Sequence, residues 1–417
     1  MRKGFSTGSV SAATIKASIR YYFKSIKFSV IDIKMPGGET AHLDIAGLEK
    51  FEEDAERSIS RAVVVKDSGD DPDVTNGIKI YADFININEN KIGRLRKCYG
   101  KLSIYNTISN LCSSNAFGGF TLILAAGKGI GIVTKPGLPV EPGQAAVNPV
   151  PFKMIELAAR EELCHWIEGP ILDLSAIGAD TFISVLYIPE GKEVAKKTLN
   201  QRLGIYGGIS ILGTTGYVIP ISTKAWLETI KTSLIFLSEN KIKTCVFTPG
   251  RYSEKIAMKI FKDMPKESFI EMGDYVAYSM RKAAGFGIKK IIVVGQFGKM
   301  IKIAQGAGNT NAKYTDLNLN FLGETVRKTL LGLNRLESMG LTEKETEYIF
   351  NLIINSNTSR QAYEYILSDK FRPFSGVIFE NILKAARENL NKMTGNNNDL
   401  DIEIVLISYK GEIIKTV

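Results

Sequence analysis

The feature that most constrains the fold is a strand followed by a helix, repeated three times between residues 244 and 304. Apolar runs at 244–247, 268–272 and 290–294 predict the strands, and helical patterns follow at 255–261, 274–284 and 299–304. Alternation of this kind builds a parallel sheet with helices on its faces. Because ligands of such sheets bind at the carboxyl ends of the strands, the segments TPGRY, EMGD and VGQFG are predicted to lie on one rim.

The first half of the chain has a different pattern, in which short strands alternate with long loops. Strands are predicted at 28–33, 62–66, 78–87, 120–125 and 182–188, and helices at 149–163 and around the apolar face of Ala12, Ala13, Ile15 and Ala17. Beyond the three repeats, helices are predicted at 321–338, 343–355, 359–367 and 376–390, and a strand at 402–407. We therefore predict an α+β amino-terminal domain, 1–225, and an α/β Rossmann-like parallel-sheet domain with extra carboxy-terminal helices, 226–417.

Composition narrows the class of partner. The 53 Lys and Arg residues exceed the 44 Asp and Glu residues by a formal charge of +9, spread along the chain, which suits an anionic small molecule. No zinc-finger, RNP-type or basic-heptad pattern indicates nucleic acid. The chain lacks C-x-x-C spacing and has two histidines, so a metal held by the protein is not expected. It has no apolar run that could span a bilayer and no signal-peptide core, so we predict a cytoplasmic protein.

The segment KDSGDDPDVTNG, residues 66–77, crowds four aspartates into a turn-forming stretch directly after a predicted strand. Like charges this close repel one another, and neither a helical nor a strand period fits, so the segment is predicted to be a loop. Loops at strand ends frequently carry binding or catalytic residues. The alternative is a solvated acidic turn whose side chains bond to their own backbone.

A second unusual stretch, NQRLGIYGGISILGTTGYVIP at residues 200–220, is rich in glycine. Glycine permits positive φ and close approach of a ligand to main-chain N–H groups, and the threonines of GTTG add hydroxyls. Tight turns between short strands are the alternative. Near the amino terminus, the hydroxyls of GFSTGS stand just before a helix, where they would cap it or bind an anion.

Taken together, seven segments in order resemble the cobalt-precorrin-5B C-1-methyltransferases, the CbiD family of anaerobic cobalamin biosynthesis. They lie at residues 4–17, 66–77, 129–140, 145–155, 196–216, 248–252 and 293–306. The resemblance extends over residues 4–316. It implies transfer of a methyl group from S-adenosylmethionine, the methyl-donor cofactor, to carbon 1 of cobalt-precorrin-5B. Cobalt would arrive inside the tetrapyrrole substrate, and a homo-oligomer is an open alternative to a monomer.

The resemblance also suggests roles for residues. The catalytic groups placed at the tetrapyrrole are the loop residues Asp70, Asp71, Asp73 and Thr75. They would accept hydrogen bonds from ring N–H groups, or accept the proton that leaves the ring. The residues placed at the carboxylates of the tetrapyrrole are Lys135, Asn148 and Arg202, whose alternative is a surface charge or a turn cap. Asn76, in the segment 66–77, is assigned to substrate binding. Donor binding is assigned to Gly213, Thr214, Thr215, Gly216, Thr248, Gly250, Gly295 and Gly298.

The chain also departs from the family. Val10 stands where most members have Cys, and Asn76, Gln296 and Asn311 stand where they usually have His. Asn and Gln keep hydrogen bonding but cannot shuttle a proton near neutral pH. A non-catalytic or altered-specificity tetrapyrrole-binding relative is therefore the alternative function. In addition, residues 90–119 form an apparent insertion, interpreted as padding or as a cationic lid.

Overall fold

The computed structural model describes residues 1–54, 57–87, 99, 102–109, 120–167, 181–220, 222–333, 341–397 and 399–417. Most of the insertion at 90–119, including the cations of its proposed lid, lies outside these residues. The chain divides into two compact units, unit 1 at 1–222 and unit 2 at 223–417. No helix among the described residues is long and apolar enough to cross a membrane.

Unit 1 combines a mixed sheet with a pair of long helices. Its helices are α1 (Thr7–Lys24), α2 (Pro149–Ile167) and α3 (Gly191–Ala195). Its strands are β1 (Gly4–Phe5), β2 (Val30–Lys34), β3 (Thr40–Asp44), β4 (Gly47–Asp54), β5 (Arg57–Val65), β6 (Lys79–Ile87), β7 (Ser103–Ile108), β8 (Thr121–Ala126), β9 (Gly129–Ile130), β10 (Ile132–Val133), β11 (Thr181–Tyr187), β12 (Ile205–Tyr206), β13 (Gly208–Ile209) and β14 (Tyr217–Val218).

The main sheet of unit 1 has the order β4-β5-β6-β11-β8-β7, and the β11–β8 pair is its parallel neighbour pair. Helix α1 packs between this sheet and α2, so nearly all of its residues from Thr7 to Ile19 are buried. Small residues on α1 permit this close packing on two sides. The two helices run parallel, because Lys16 pairs with Glu161 and Arg20 with Glu162.

The glycine-rich stretch forms a series of short pairings instead of one long strand. β12 pairs with β10, β13 with β9 and β14 with β1, and an isolated bridge joins Val147 to Ile211. Each pairing covers two residues, because positive-φ glycines at 204, 207, 213 and 216 turn the chain between them. The stretch therefore contacts three distant parts of unit 1 in succession.

Unit 2 contains the strand–helix repeats that the sequence predicts. Its strands are β15 (Thr244–Thr248), β16 (Phe269–Glu271), β17 (Lys290–Gln296), β18 (Asp401–Ile407) and β19 (Ile413–Thr416). Its helices are α4 (Thr223–Glu239), α5 (Arg251–Ile260), α6 (Val276–Gly285), α7 (Phe297–Ala304), α8 (Leu319–Gly332), α9 (Glu343–Ile354), α10 (Ser359–Ile366) and α11 (Arg372–Met393).

The sheet of unit 2 has the order β16-β15-β17-β18-β19, parallel except for the last pair. Side chains of a strand alternate between faces. Val246 and Ile292 therefore meet α5 on one face, whereas Phe247 and Val293 join the core with α4, α6, α7 and α11 on the other. The chain moves outward from β15 to β16 and then crosses to β17, so its direction of winding reverses between β15 and β17.

Several element predictions need correction. The helix predicted from 255 begins at Arg251, because Gly250 serves as its N-cap, and the helix predicted to 338 is described only to Gly332. Helix α4 and the edge strand β19 had not been predicted. Helix α4 carries Trp226 and an exposed polar face, which obscures its short apolar stripe of Ile230, Leu234 and Leu237.

Candidate functional site

Three of the motifs meet at the beginning of α1. Strand β1 pairs with β14, with Gly4 opposite Val218 and Phe5 opposite Tyr217. On its other side, the Phe5 N–H donates to the Asp67 carbonyl at 2.7 Å, and Lys3 forms a bridge with Gly69. The amino-terminal segment therefore lies between the acidic loop, residues 66–77, and the GTTG loop, residues 213–216.

Within the acidic loop, Asp73 is held by a buried lysine. The Lys66 ammonium is 1% exposed and lies 2.7 Å from Asp73 Oδ2, while the Asp73 side chain is 24% exposed. Asp73 Oδ1 also accepts from the Thr75 N–H at 2.8 Å and the Thr75 hydroxyl at 2.7 Å. Desolvation would raise the pKa of Asp73, but Lys66 and these hydrogen bonds outweigh it and lower the pKa.

Asp71 has a different environment. Partial desolvation, followed by the neighbouring charge of Asp73, raises the pKa of its carboxyl group. Among the residues that the structure describes, none donates a hydrogen bond to the Asp71 carboxylate. Asp70, in contrast, is exposed and accepts from the Arg2 N–H at 2.6 Å. Asp71 is thus the carboxylate of the loop best suited to accept a proton from a bound ligand.

Two further residues brace the loop. Asp67 forms a two-pronged ion pair with the Arg2 guanidinium and accepts from the Gly69 N–H at 2.9 Å. These hydrogen bonds, the one from Arg2 foremost, lower the pKa of Asp67. The Asn76 amide oxygen accepts from the Ser68 N–H at 2.9 Å, so this side chain closes the loop on itself.

The glycines of the GTTG loop are required by packing inside unit 1. A Cβ on Gly213 would overlap the Ser6 side chain, and one on Gly216 would lie 2.7 Å from Met35 Cε. The carbonyls of the loop region cap α1, because Gly216 accepts from the Ser6 N–H at 2.9 Å and Leu212 from the Gly8 N–H at 3.0 Å. Thr214 and Thr215 are the exposed residues of this loop, and the Thr215 hydroxyl also hydrogen-bonds the Tyr217 backbone at 3.3 Å.

The residues assigned to substrate carboxylates flank the same glycine-rich stretch. Asn148 immediately precedes α2, and its N–H donates to the Ile211 carbonyl at 2.9 Å. Helices α1 and α2 therefore both begin against residues 211–212, with their positive amino-terminal ends side by side. Lys135 and Arg202 are each near Gly204, at the beginning of the stretch: a Cβ on Gly204 would be 3.0 Å from the Lys135 Cβ, and Arg202 lies in the 3₁₀ turn Asn200–Leu203.

In unit 2, the loop after β15 meets the end of β17 where the winding reverses. A Cβ on Gly295 would lie 3.6 Å from the Pro249 ring, and the residue after Pro249, Gly250, caps α5. Thr248 ends β15 fully buried, and its hydroxyl has no hydrogen-bond partner among the described residues. Reversal points at the carboxyl ends of parallel strands are the common ligand sites of such sheets.

Next to this rim is a cavity of about 290 Å³. It is lined by Gln296, Gly298, Lys299, Lys302, Leu317, Ser359 and Tyr409. Gly298 faces α10, because a Cβ there would lie 2.6 Å from Ser359 Oγ. Gln296 is thus at a solvent-accessible opening, where an amide can hydrogen bond to a ligand but cannot carry a proton.

Asn311 belongs to a hydrogen-bond network that includes Lys299, one of the residues lining this cavity. Its amide donates to Asp274 Oδ2 at 3.1 Å, while Lys299 and the Thr310 hydroxyl contact Oδ1. The pKa of Asp274 is lowered, since hydrogen bonds from Lys299 and Thr310 outweigh the effect of its desolvation. Asn311 therefore orients a carboxylate that is already charged.

The sequence analysis missed two residues that organise these loops, Lys66 and Arg2. Lys66 is the first residue of the acidic segment, and a lysine directly preceding four aspartates was a usable signal for a buried ion pair. Arg2 is 65 residues from Asp67 in the chain, and no local pattern connects them. The described residues include no group of three or more His, Cys, Asp or Glu arranged to hold a metal ion.

Comparison with known proteins gives matches over both units. A family model described as CbiD matches residues 1–220, and one described as CbiD, C-terminal domain, matches residues 341–417. A cobalt-precorrin-5B C(1)-methyltransferase of Geobacter metallireducens is 33% identical, with 99% of this chain and 98% of that protein covered. The protein of the same description from Picrophilus torridus is 32% identical over 99% of both chains.

A shorter match has higher identity. The cobalt-precorrin-5B C(1)-methyltransferase of a Geobacillus species is 37% identical over 77% of this chain and 76% of that protein. Among solved structures, the cobalamin biosynthesis protein cbiD from Archaeoglobus fulgidus matches with a TM-score of 0.35 and 22% identity, over 75% of this chain and 83% of that one.

Proposed function

The chain belongs to the CbiD family, and from this membership we propose that it transfers a methyl group from S-adenosylmethionine to carbon 1 of cobalt-precorrin-5B, giving cobalt-precorrin-6A. The observation that carries the proposal is similarity over 99% of the chain to relatives described by that reaction. The cobalt is part of the substrate. In this transfer the S–CH₃ bond breaks with its electron pair on sulfur, a ring carbon supplies the electrons of the new C–C bond, and a proton leaves the ring.

Asp71 accepts that proton. Its raised pKa makes it a better base than Asp67 and Asp73, whose pKa values are lowered, and no hydrogen bond from a described residue competes for its oxygens. Asp73 and Thr75 act with it by fixing the shape of the loop through Lys66. Asp70, which is exposed, accepts a hydrogen bond from a ring N–H group. Asn76 keeps the loop closed beside the substrate through its hydrogen bond from the Ser68 N–H.

Substrate carboxylates bind beside the glycine-rich stretch of unit 1. The tetrapyrrole carries several carboxylates, and Lys135, Arg202 and Asn148 lie within or next to that stretch. The adjacent amino-terminal ends of α1 and α2 add positive potential there. Exposed ion pairs contribute only about 0.2–1 kcal/mol each, so several must act together to hold the ligand.

The methyl donor binds in unit 2, a Rossmann-like domain. Support comes from the parallel sheet, the reversal between β15 and β17, and the close approach of Pro249, in the loop after β15, to Gly295 near the end of β17. Thr248, Gly250, Gly295 and Gly298 form this rim. The GTTG loop, with Gly213, Thr214, Thr215 and Gly216, is the second donor candidate, through its exposed hydroxyls.

Several properties of the working protein belong to the same proposal. It acts in the cytoplasm on a small tetrapyrrole, and it needs neither nucleic acid nor a membrane. A homo-oligomer is possible and is measured separately.

Positioning of two bound reactants lowers the activation barrier by up to about 7–11 kcal/mol, more than a general base does. Asn76, Gln296 and Asn311 are compatible with such a mechanism, because positioning needs no proton transfer by them.

Anaerobic incubation of the full chain with cobalt-precorrin-5B and S-adenosylmethionine tests the proposal. Mass spectrometry should detect addition of one methyl group, and a donor with a deuterated methyl should shift the product mass accordingly. Omission of the donor is the control. Measurable substrate binding without methyl gain would contradict the proposal and select the alternative, a non-catalytic or altered-specificity tetrapyrrole-binding protein.

A further inference from the structure

We propose that the cavity beside the rim of unit 2 binds a carboxylate carried on a short aliphatic chain, with Lys302 as its cation. This inference rests on the proposed function, in which both reactants carry such a group: the tetrapyrrole has acetate and propionate side chains, and the methyl donor ends in an amino acid. Small-molecule pockets have volumes of about 300–1,000 Å³. The cavity, at about 290 Å³, therefore suits one arm of a ligand and not a whole tetrapyrrole.

Lys302 lines the cavity without a counter-ion. It is half-buried on α7, and its ammonium donates to the Thr310 carbonyl at 3.1 Å and to the Thr315 carbonyl at 2.7 Å. It forms no ion pair with a carboxylate in the part of the chain that the structure describes. An ammonium has three N–H donors, so one remains for a further acceptor. Because a partly desolvated cation is costly when only neutral groups surround it, an anion beside Lys302 is favoured.

The second lysine of the cavity differs from Lys302, because a carboxylate already neutralises it. Lys299 is paired with Asp274 and donates to the Thr310 hydroxyl at 3.3 Å. Among the described residues that line the cavity, none is acidic. The positive charge of Lys302 is therefore uncompensated in this lining, and an anionic group can bind there without repulsion from a lining carboxylate.

The remaining surface of the cavity suits a carboxylate and its methylene groups. Gln296 is the N-cap residue of α7, but its side chain makes no hydrogen bond to the helix or to another described residue. Its NH₂ group can therefore donate to a carboxylate oxygen. The Ser359 and Tyr409 hydroxyls hydrogen-bond each other, and Leu317 and the Tyr409 ring supply apolar surface for the aliphatic chain.

The position of the cavity allows either reactant to supply the carboxylate. Gly298 belongs both to the proposed donor rim and to the lining of the cavity, so a donor on that rim can extend its amino-acid end into it. Gln296 lies at the opening to solvent, through which a side chain of the tetrapyrrole can enter. The two sources share one chemistry and are separated by measuring both ligands.

Calorimetric titration of the full chain under anaerobic conditions, with S-adenosylhomocysteine and separately with cobalt-precorrin-5B, tests the inference without relying on turnover. For Lys302→Met we expect one of these ligands to bind about 10- to 100-fold more weakly, the usual effect of losing a charge-assisted hydrogen bond. The other ligand should change by less than about threefold. Gln296→Glu, which adds a competing carboxylate to the cavity, should weaken the same ligand and tests the inference even if Lys302→Met does not fold.

A chemical analogue confirms the assignment if S-adenosylhomocysteine is the ligand affected. Its carboxamide should bind the wild type about 10- to 100-fold more weakly than the free acid does. Lys302→Met should distinguish acid and amide by less than about threefold, because the two changes remove one interaction. If the amide binds the wild type as tightly as the acid, the donor carboxylate does not occupy the cavity and the inference is wrong for the donor.

Lys328→Met on α8 is the charge-matched control, because Lys328 is exposed and does not line the cavity, and it should keep both wild-type dissociation constants. If both ligands bind Lys302→Met and Gln296→Glu as tightly as the wild type, the inference is wrong and the proposed function stands. Equal weakening of both ligands would also overturn it, since Lys302 would then support the fold and not one ligand. If the wild type binds neither ligand, the proposed function fails and this inference with it.

Discussion

At the scale of single residues, the acidic loop separates its carboxylates by environment. Asp67 and Asp73 are each bound to a cation, whereas partial desolvation, followed by the charge of Asp73, raises the pKa of Asp71. These three aspartates, which look equivalent in the sequence, therefore differ in proton affinity. This difference is what a loop needs if one carboxylate takes up a proton and the others keep the loop in shape.

Replacement of Asp71 should affect the reaction and its pH dependence. For Asp71→Asn we expect turnover to fall by about 10²–10⁴-fold, the usual contribution of a general base. The carboxylate form is the base, so wild-type activity should be present above the Asp71 pKa and be lost as the pH falls through it. Because that pKa is raised, the loss should begin above the ordinary carboxyl range.

The pH profile of turnover, measured for the wild type, Asp71→Asn and the exposed neighbour Asp70→Asn, checks this prediction. The acidic limb should be missing from the residual activity of Asp71→Asn only. An unchanged limb in that variant would show that another group titrates.

Lys66 provides a prediction about stability. For Lys66→Met, which leaves Asp73 partly buried without its cation, we expect a loss of about 1–3 kcal/mol in the free energy of unfolding. The lowered Asp73 pKa contributes stability above its unfolded value, near 3.9, and this contribution is lost as the pH falls through the folded value. The difference between wild type and variant should therefore shrink below about pH 4.

Urea unfolding at neutral and acidic pH measures this difference. Lys79→Met is a suitable control, because Lys79 is exposed at the start of β6 and should change stability by less than about 0.5 kcal/mol. Equal losses in the two variants, or a gap that widens in acid, would contradict the role given to Lys66.

At the scale of elements, the glycine-rich stretch joins the parts of unit 1. Its pairings with β10, β9 and β1 are short, and its carbonyls accept from the first N–H groups of α1. At some positions of the stretch glycine is required because φ is positive, and at others because a Cβ would overlap neighbouring atoms. The motif is therefore a structural connector that also positions the acidic loop, since β1 lies between the two.

Two glycines of similar φ allow the cost of backbone strain to be measured separately from the cost of overpacking. Gly207 and Gly216 have φ of 87° and 80°, but only at Gly216 would a Cβ meet neighbours, Met35 and Ser9. Gly207→Ala should cost about 1 kcal/mol from backbone strain alone. Gly216→Ala should cost about 1–3 kcal/mol more, from overpacking. Thermal or urea unfolding measures both, and equal costs would mean that packing at Gly216 is unimportant.

At the scale of the whole molecule, the two units have separate cores and carry different candidate sites. Hydrogen exchange with and without S-adenosylhomocysteine can therefore locate the donor. We expect slower exchange at 248–251 and 295–298, because ligand binding at 100 times Kd stabilises the folded state by about 2.7 kcal/mol. Protection confined to 213–216 would instead assign the donor to the GTTG loop.

Much of unit 2 could be predicted from the sequence, whereas unit 1 could be predicted only in part. The βα repeats have local signals, since apolar runs form strands and helical periods form helices over neighbouring residues. The pairings of β1 with β14 and of β9 with β13 have none, because each covers two residues that are far apart in the chain. Helix α4 differs from these strands in having a local signal, but its apolar stripe is too short to predict the helix.

The sequence by itself determined the family, the βα alternation of unit 2 and the motifs from which the candidate sites are built, since these depend on residue order alone. The tertiary structure decided which groups of those motifs are already engaged. Lys66 and Arg2 hold two of the aspartates, and the carbonyls of Leu212 and Gly216 accept hydrogen bonds at the beginning of α1. The physical reason is that the charge state and availability of a side chain depend on contacts between residues distant in sequence, which form only when the chain is folded.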